Sequence, residues 1–242
     1  MSSIYNPNYI QTTYKDSGKT DYPTKFVEYL FKQKLMVPTG AKVLDLGCGT
    51  GDFTLAIENA GYEAYGVDIG TAARDKLRLG RFEQADLTKR LSTPLNSMDV
   101  VFSKSVVEHL RNPEVLLNEA FSVLKPGGLV ITMTPSWKHS YKEAFFIDHT
   151  HVTPFIKHSL SVLHELSGFE QISTEYFYQL PKLWDKRTSW YMKPVTKLIQ
   201  LLELPYRPFS DAPWSEESNK LVRFSQEAML LCIARKPKQT DG

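Results

Sequence analysis

A glycine-rich loop is the most chemically informative stretch of the sequence. It reads Asp45-Leu-Gly-Cys-Gly-Thr-Gly51 and stands between a short apolar run and an amphipathic segment. Glycines at a strand-to-helix turn allow a tight bend and let a ligand approach backbone amides closely. Gly51 comes one residue too early for the G-x-G-x-x-G fingerprint of dinucleotide sites, and the sequence has no G-x-x-x-x-G-K-[ST] phosphate loop. The loop therefore predicts a ligand site of another kind.

Two acidic residues could complete that site, because each follows a predicted strand. Asp68 ends the second strand, where a carboxylate can accept hydrogen bonds from both hydroxyls of a ribose. Its alternative role is to cap a helix predicted over Thr71–Leu79. Asp86 follows the third strand, where an acid could accept from an adenine amino group, although Asp is also common in ordinary loops.

The elements that must position these residues alternate along the chain. Strands are predicted at Lys42–Leu46, Glu63–Val67, Arg81–Ala85, Met98–Phe102, Leu129–Met133, Phe169–Tyr178 and Ala228–Ala234. Helices are predicted at Lys25–Met36, Phe53–Ala60, Thr71–Leu79, from Asn112-Pro113 to Leu124, and at Ile156–Leu166. Strands that alternate with helices through short connections indicate an α/β fold, with a parallel sheet covered by helices on both faces.

Five ordered elements resemble the class I S-adenosylmethionine-dependent methyltransferases, in particular members that methylate oxygen or nitrogen of small molecules. The loop is similar to the family's acid-x-G-x-G-x-G motif, and Asp68 and Asp86-Leu87 to its acids after strands two and three. Asp99–Leu110 resembles the segment that contains the E-H-[LV] turn, and Leu124–Leu129 the L-[KR]-P-G-G-x motif. The resemblance implies a Rossmann-like, seven-stranded, mostly parallel sheet whose last strand is antiparallel.

The resemblance also implies which residues hold S-adenosylmethionine. They are Asp45, Gly47, Cys48, Gly49, Gly51, Asp68, Ile69, Asp86, Leu87 and Ser103. Gly47 and Gly49 would face the methionine part, Asp68 the ribose, and Asp86 the adenine, while Ser103 would lie near the transferred methyl group. The thiol of Cys48 is expected to be packed rather than nucleophilic.

Methyl transfer to a protonated acceptor needs a base, and two segments offer histidines for that task. His109 ends Ser105-Val-Val-Glu-His109, where quinone-type O-methyltransferases have a glutamate in place of Ser105. That departure argues against a metal, and bonding to loop backbone is the alternative for His109. If Asp148-His-Thr-His151 is extended, His149 and His151 project to the same side.

We expect His149 and His109 to be catalytic, with His149 slightly favoured over His151. No metal is expected, since no third ligand beyond Asp148 is evident. The remaining histidines, His139, His158 and His164, are expected at the surface.

The segment Gln179–Gln226 is longer than a hairpin between two strands requires. Its aromatic residues are Trp184, Trp190, Tyr191, Tyr206, Phe209 and Trp214. Between Gln179 and Glu203, five basic and two acidic residues give a net charge of +3. Pro194 is expected to start a helix through Leu204 with Val195, Leu198, Ile199 and Leu202 on one face. This helix could be a lid packed on the core, a dimer surface, or an interfacial contact with a lipid-linked or anionic acceptor.

Length and net charge limit the possible domain organisation and the possible partners. The 242 residues suit a single domain, divided into an irregular arm and helix at 1–39, a cofactor core at 40–178, an insertion at 179–226, and a last strand and tail at 227–242. A net charge of +2 gives no global attraction to DNA or to membranes, and two cysteines make no disulfide framework. A cytoplasmic monomer or homodimer is expected.

The expected function is methyl transfer from S-adenosylmethionine to oxygen or nitrogen of a small or medium acceptor by in-line displacement, with S-adenosylhomocysteine as product. The alternatives are a catalytically silent cofactor-binding or scaffold protein on the same fold, and an RNA methyltransferase. An NAD-linked enzyme is disfavoured by the spacing of the glycines.

Overall fold

The central sheet has seven strands in the order β3-β2-β1-β4-β5-β7-β6. The computed structural model describes residues 20–141, 144–206 and 215–238. The strands are β1 Lys42–Leu46, β2 Glu63–Asp68, β3 Phe82–Gln84, β4 Met98–Lys104, β5 Leu124–Pro135, β6 Glu170–Tyr178 and β7 Ala228–Arg235. Strand β7 pairs antiparallel with both β5 and β6, whereas the other pairs are parallel. The predicted fold, with an antiparallel last strand, is confirmed.

Helices cover both faces of the sheet. They are α1 Tyr22–Val27, continued by a π-helical segment Glu28–Lys34, then α2 Asp52–Asn59, α3 Glu114–Val123, α4 Trp137–Ser140, α5 Lys157–Leu166, α6 Pro181–Trp184, α7 Ser189–Leu201 and α8 Glu216–Gln226. In β1, Val43 packs into the core beneath α1 and α2, while Leu44 and Leu46 pack into the core beneath α3 and α5. A strand that is buried on both faces has a nearly continuous apolar sequence, and β1 has such a sequence.

Three predicted boundaries or elements are wrong. No helix forms over Thr71–Leu79, where the chain makes successive turns. Only Ala73 and Leu77 are buried in that segment, so a helix there would have too little packing to offset its nucleation cost. The first helix begins at Tyr22 rather than Lys25, with Pro23 in its first turn, and α3 begins one residue after Pro113.

The fifth strand begins earlier than predicted, and it includes the two glycines that precede the predicted strand Leu129–Met133. Strand β5 already begins at Leu124, and its register against β4 shifts between Met98 and Val100. Gly127 has φ +79°, and a Cβ on Gly128 would lie 2.9 Å from the carbonyl oxygen of Lys125. The two glycines therefore allow a bulge inside the strand.

The described part of the segment between β6 and β7 contains α6, α7 and α8. Pro194 lies inside α7 and does not start it, because Met192, Thr196 and Ile199 are buried on both sides of the proline and hold the helix together. Phe209 and Trp214 lie outside the described residues, as do residues 1–19 of the expected arm. No helix in the described ranges is both long enough and apolar enough to cross a membrane.

Candidate active site

The glycine loop follows β1 at the carboxyl edge of the parallel strands. Gly47, Gly49 and Gly51 have φ values of +79°, +57° and +78°, a region that side chains rarely adopt. The amides of Gly47 and Cys48 both donate to the carbonyl of Val67, at 2.8 and 3.1 Å. A Cβ on Gly47 would stand 2.2 Å from Cγ2 of Val106. The tight packing on β2 and on the chain after β4 thus requires glycine at position 47.

Asp68 fixes the loop from the end of β2. Its Oδ2 accepts the Gly49 amide at 2.9 Å, and its Oδ1 accepts the Gly70 amide at 2.7 Å. Burial raises the pKa of this carboxyl, and the backbone amides oppose that rise. A carboxylate has about four lone-pair positions, so both oxygens can accept further hydrogen bonds. Since no helix follows at Thr71, the alternative role of Asp68 as a helix cap has no support.

Asp45 and Ser103 lie deeper at the same edge. Oδ2 of Asp45 accepts from the Thr54 hydroxyl at 2.6 Å, which ties β1 to the first turn of α2. Burial, together with the negative charge of Asp68, raises the pKa of Asp45 to about 7. The Ser103 hydroxyl donates to the carbonyl of Leu46 at 3.1 Å. Both side chains are buried and bonded within the protein.

Asp86 and Leu87 lie beside Asp68, because the Ala85 amide donates to the Asp68 carbonyl at 3.0 Å. Both are half-buried. Oδ1 of Asp86 accepts from the amide and hydroxyl of Thr88, and these bonds lower its pKa despite partial burial. Ile69 is half-buried, and its carbonyl accepts from Gln84.

A second cluster joins the chain after β4 to the connection after β5. The carbonyl of Glu108 accepts the amides of Val152 and Thr153, at 2.9 and 3.0 Å. These bonds bring the rings of His109 and His151 to 4.6 Å between centroids. The Glu108 side chain is fully buried; its Oε2 accepts from Thr134 at 2.9 Å, while Oε1 has no hydrogen-bond partner and lies 4.0 Å from Nε2 of His151. Burial raises the pKa of Glu108 to about 7.

Hydrogen bonding defines the tautomers of both histidines. The Thr150 hydroxyl donates to Oδ1 of Asp148, so at 2.8 Å from Nδ1 of His109 it must accept the ring proton. Nδ1 of His151 lies 2.6 Å from the carbonyl of Phe145, which can only accept. Both rings therefore carry a proton on Nδ1, and Nε2 of each ring is unprotonated when that ring is neutral. Burial and the neighbouring His151 lower the pKa of His109 to about 4, so His109 is neutral at pH 7.

The ligand atoms of Glu108, His109 and His151 all lie within 4.8 Å of one another, a spacing that could hold a cation. Sequence reasoning missed this trio because it sought a third ligand next to Asp148. The ammonium of Lys104 already faces the charge of Glu108. The positive charge of Lys104 opposes binding of a second cation beside Glu108.

The structure does not bring His149 to this cluster. His149 is exposed, because the segment is folded into turns and the His151 amide donates to the Asp148 carbonyl. The alternation expected of an extended chain is therefore absent. The surface position expected for His164 is also wrong: it is fully buried and contacts Thr132 and the carbonyl of Leu160.

Lys104 ends β4 and is half-buried beside aromatic residues that sequence reasoning did not connect with it. Its Nζ lies 5.4 Å from the centroid of the Phe53 ring. Burial lowers the pKa of Lys104, and the negative charges of Glu108 and Asp45 oppose that decrease. Phe53 belongs to a set of rings that pack on one another, here called the aromatic cluster: Tyr22, Phe26, Phe53, Phe102, Phe177 and Trp184. Helix α1 and the segment after β6 thus meet next to the carboxyl end of β4.

The sequence and the fold are similar to known methyltransferases. A family model described as a methyltransferase domain matches residues 19–174. Phosphoethanolamine N-methyltransferase 1 of Arabidopsis thaliana is 25% identical over 218 residues, which are 86% of this chain and 43% of the relative. A ubiquinone biosynthesis O-methyltransferase of Cereibacter sphaeroides is 32% identical over 127 residues, which are 48% of this chain and 51% of the relative. The chain spans about half or less of the length of the curated relatives it matches.

Solved structures show the same fold. A SAM-dependent methyltransferase from Archaeoglobus fulgidus superposes with a TM-score of 0.62 at 22% identity, covering 94% of this chain and 99% of that one. Phosphoethanolamine N-methyltransferase 2 of Haemonchus contortus, in complex with phosphomonomethylethanolamine and S-adenosylhomocysteine, has a TM-score of 0.60 at 17% identity and covers 98% of this chain and 62% of that one. Together with the family model, which matches more than half of the sequence, these similarities show that the chain belongs to the class I S-adenosylmethionine-dependent methyltransferases.

Proposed function

We propose that the protein transfers a methyl group from S-adenosylmethionine to oxygen or nitrogen of a small acceptor. The observation that carries this proposal is the bond from the Gly49 amide to Asp68. It holds a loop of glycines at positive φ beside a buried carboxylate, at the sheet edge where α/β proteins bind ligands. The residues fit the cofactor. Gly47, Gly49 and Gly51 would contact its methionine part, and Asp68 would accept hydrogen bonds from its ribose. Asp86 and Leu87 would contact its adenine ring.

The bound cofactor would supply an activated methyl group on its sulfonium. The protein's contribution is then to align the acceptor, exclude water and accept the acceptor's proton. Ser103 and Lys104, at the end of β4, lie between the glycine loop and the second cluster. We place the acceptor on this side, next to the aromatic cluster.

His109 is the proton acceptor in this proposal. The acceptor's O–H or N–H proton would pass to Nε2 of His109 as the bond to the methyl group forms, while its Nδ1–H continues to donate to Thr150. Glu108, when ionised, would stabilise the positive charge that His109 then carries, since the ligand atoms of the two residues lie within 4.8 Å of each other. His151 replaces His149 in the proposal, because His151 is the histidine beside His109.

Calorimetry and methyl-transfer assays test the function. We expect S-adenosylmethionine and S-adenosylhomocysteine to bind, and labelled methyl to pass to some member of a panel that includes phosphoethanolamine and hydroxylated quinones, the acceptors that the relatives' names suggest. Absence of cofactor binding would refute the proposal. Binding without transfer to any small acceptor, but with transfer to RNA or to nothing, would favour the RNA-methyltransferase or silent-scaffold alternative.

Metal independence is part of the proposal. Because the ammonium of Lys104 lies near Glu108, we expect activity to survive exhaustive chelation. Loss of activity on chelation, with recovery on adding back a divalent cation, would instead assign the three ligand atoms of Glu108, His109 and His151 to a metal.

We also propose that residues 1–242 form one domain, in which the segment 179–226 covers the acceptor side. Trp184 in α6 supports this, since it packs on Tyr22 and Phe26 of α1. A cytoplasmic location and a monomeric or dimeric state complete the proposal. Cell fractionation and analytical ultracentrifugation would test them.

A further inference from the structure

Helix α7 exposes a broad apolar surface. Its residues, here called the α7 face, are Trp190, Tyr191, Val195, Leu198, Leu201 and Leu202, the last of which caps the helix. Trp190 is 75% exposed, Leu198 54% and Leu201 80%. At 100° per residue the six side chains occupy an arc of about 140° on one side of the helix. An exposed and contiguous apolar surface of this kind marks an interaction site.

The helix is anchored on its other side, so the exposure does not come from a loosely held element. Met192, Thr196 and Ile199 are buried. Gln200 donates to the carbonyl of Ser225 in α8 at 2.7 Å. Of the four apolar residues that the lid interpretation would pack on the core, Val195, Leu198, Ile199 and Leu202, only Ile199 is buried. The lid interpretation therefore accounts for the buried side of α7 and leaves the α7 face unexplained.

Positive charge borders the α7 face. Lys193 and Lys197 follow one edge of the apolar arc, both are exposed, and α7 contains no acidic residue. Lys182, Lys186 and Arg187 precede the helix. Of the two acids between Gln179 and Glu203, Asp185 is already paired with Arg187 at 3.0 Å. The basic excess beside the apolar arc is therefore complementary to a negatively charged surface.

We propose that the α7 face docks on a membrane surface that contains anionic lipids. The helix would lie in the plane of the interface, with Trp190, Leu198 and Leu201 among the acyl chains and Lys193 and Lys197 at the phosphates. Aromatic and leucine side chains bordered by lysine form the pattern of interfacial helices. A second copy of the chain fits less well, because antiparallel pairing of two α7 faces about a two-fold axis would bring together the bordering lysines, which have like charge.

Vesicle flotation with the full chain tests the proposal. We expect binding to vesicles of phosphatidylcholine mixed with phosphatidylglycerol, weaker binding to phosphatidylcholine alone, and loss of binding as salt increases. Leu198→Ser with Leu201→Ser should reduce the vesicle partition coefficient at least tenfold. Leu166→Ser is the matched control, because Leu166 is 73% exposed on α5, outside the α7 face. Circular dichroism verifies that all variants are folded.

The charge contribution is tested separately. Lys193→Gln with Lys197→Gln should weaken binding to anionic vesicles by roughly fivefold per lysine, with little effect on phosphatidylcholine vesicles, whereas Lys238→Gln should have no effect. Failure to bind anionic vesicles, or equal binding by the double leucine variant, would overturn the proposal. A dimer that dissociates in the double leucine variant, without vesicle binding, would identify a second copy as the occupant and would also overturn it.

Discussion

At the scale of single residues, the site depends on a few hydrogen bonds that each have one defined direction. Asp68 accepts two backbone amides, and Thr150 accepts the ring proton of His109 because its own proton is donated to Asp148. Such bonds determine which atoms face a ligand. The predictions at this scale therefore change one bond at a time.

Replacement of Asp68 tests the cofactor site. Asp68→Ala should weaken binding of S-adenosylhomocysteine by about 1.5–3 kcal/mol, or roughly 10- to 150-fold in Kd, since it removes a charge-assisted acceptor and frees the Gly49 amide. Titration calorimetry measures this change. Asp75→Ala is the control, because Asp75 is exposed in the turns that follow β2. Unchanged affinity in Asp68→Ala would mean that the ribose binds elsewhere.

Replacement of His109 tests the proton acceptor. His109→Ala should lower kcat on the order of 100-fold or more, with cofactor affinity nearly intact, because only the proton acceptor is lost. Thr150→Val should lower kcat less, because it removes the acceptor that keeps the ring proton of His109 on Nδ1. His149→Ala should retain full activity, since His149 is exposed. Equal rates for His109→Ala and the unmodified protein would show that His109 has a structural role and does not accept the proton.

The two halves of the site differ in how far the sequence predicts them. The loop and Asp68 are local motifs tied to strand ends, so their position follows from the order of strands. The approach of His151 to Glu108 and His109 follows instead from the amides of Val152 and Thr153, which bond to the Glu108 carbonyl. No spacing in the sequence signals such a long-range backbone contact. For this reason the sequence favours His149, and the structure places His151 in the cluster.

At the scale of elements, strands were easier to predict than the segments that border them. A strand such as β1 is buried on both faces and leaves a clear apolar run, whereas the Thr71–Leu79 pattern has helical composition but only two buried residues. Likewise Pro194 suggests a helix start, and the packing of residues on both sides of it decides otherwise. The extent of tertiary packing therefore decides both places: too few buried residues leave Thr71–Leu79 without a helix, and buried residues on both sides of Pro194 keep it inside α7.

Gly47 packs against the chain after β4. Its replacement tests two contributions to stability, backbone strain at positive φ and steric overlap with Val106. Gly47→Ala should destabilise the fold by roughly 1–2 kcal/mol for a side chain at positive φ, plus about 1–3 kcal/mol for the overlap with Val106. Gly40→Ala is the matched control, because Gly40 has φ +80° and nothing within 4 Å of an added Cβ. Denaturant titration should show a larger loss for Gly47→Ala than for Gly40→Ala. Adding Val106→Ala should narrow the difference, and equal losses would contradict the close contact.

At the scale of the whole molecule, the net charge of +2 is an average over unlike regions. Asp45 and Glu108 are buried acids near a half-buried Lys104, while the stretch from Gln179 to Glu203 carries a net positive charge and an exposed apolar face. The acids lie at the carboxyl edge of the parallel strands, and the basic stretch lies at the surface. Their separation lets each be tested alone.

The two buried acids make the stability of the fold depend on pH in a direction opposite to that of paired surface carboxylates. Burial raises the folded-state pKa of Asp45 to about 7, from an ordinary value near 3.8. The folded state therefore holds a proton that the unfolded chain releases. The stabilisation from this proton is complete below about pH 4 and is lost as the pH rises towards 7.

Asp45→Asn should remove this dependence, because the amide is neutral at every pH and its oxygen can still accept from Thr54. Denaturant titrations of the two proteins between pH 4 and pH 8 measure the effect. The free energy of unfolding of the unmodified protein should fall relative to Asp45→Asn as the pH rises from 4 to 7, and the difference should level off above pH 7. Asp75→Asn, at an exposed site, corrects for the general effect of removing one negative charge. A difference between the proteins that stays constant across this range would show that Asp45 is already ionised in the folded state at pH 4 and would contradict its raised pKa.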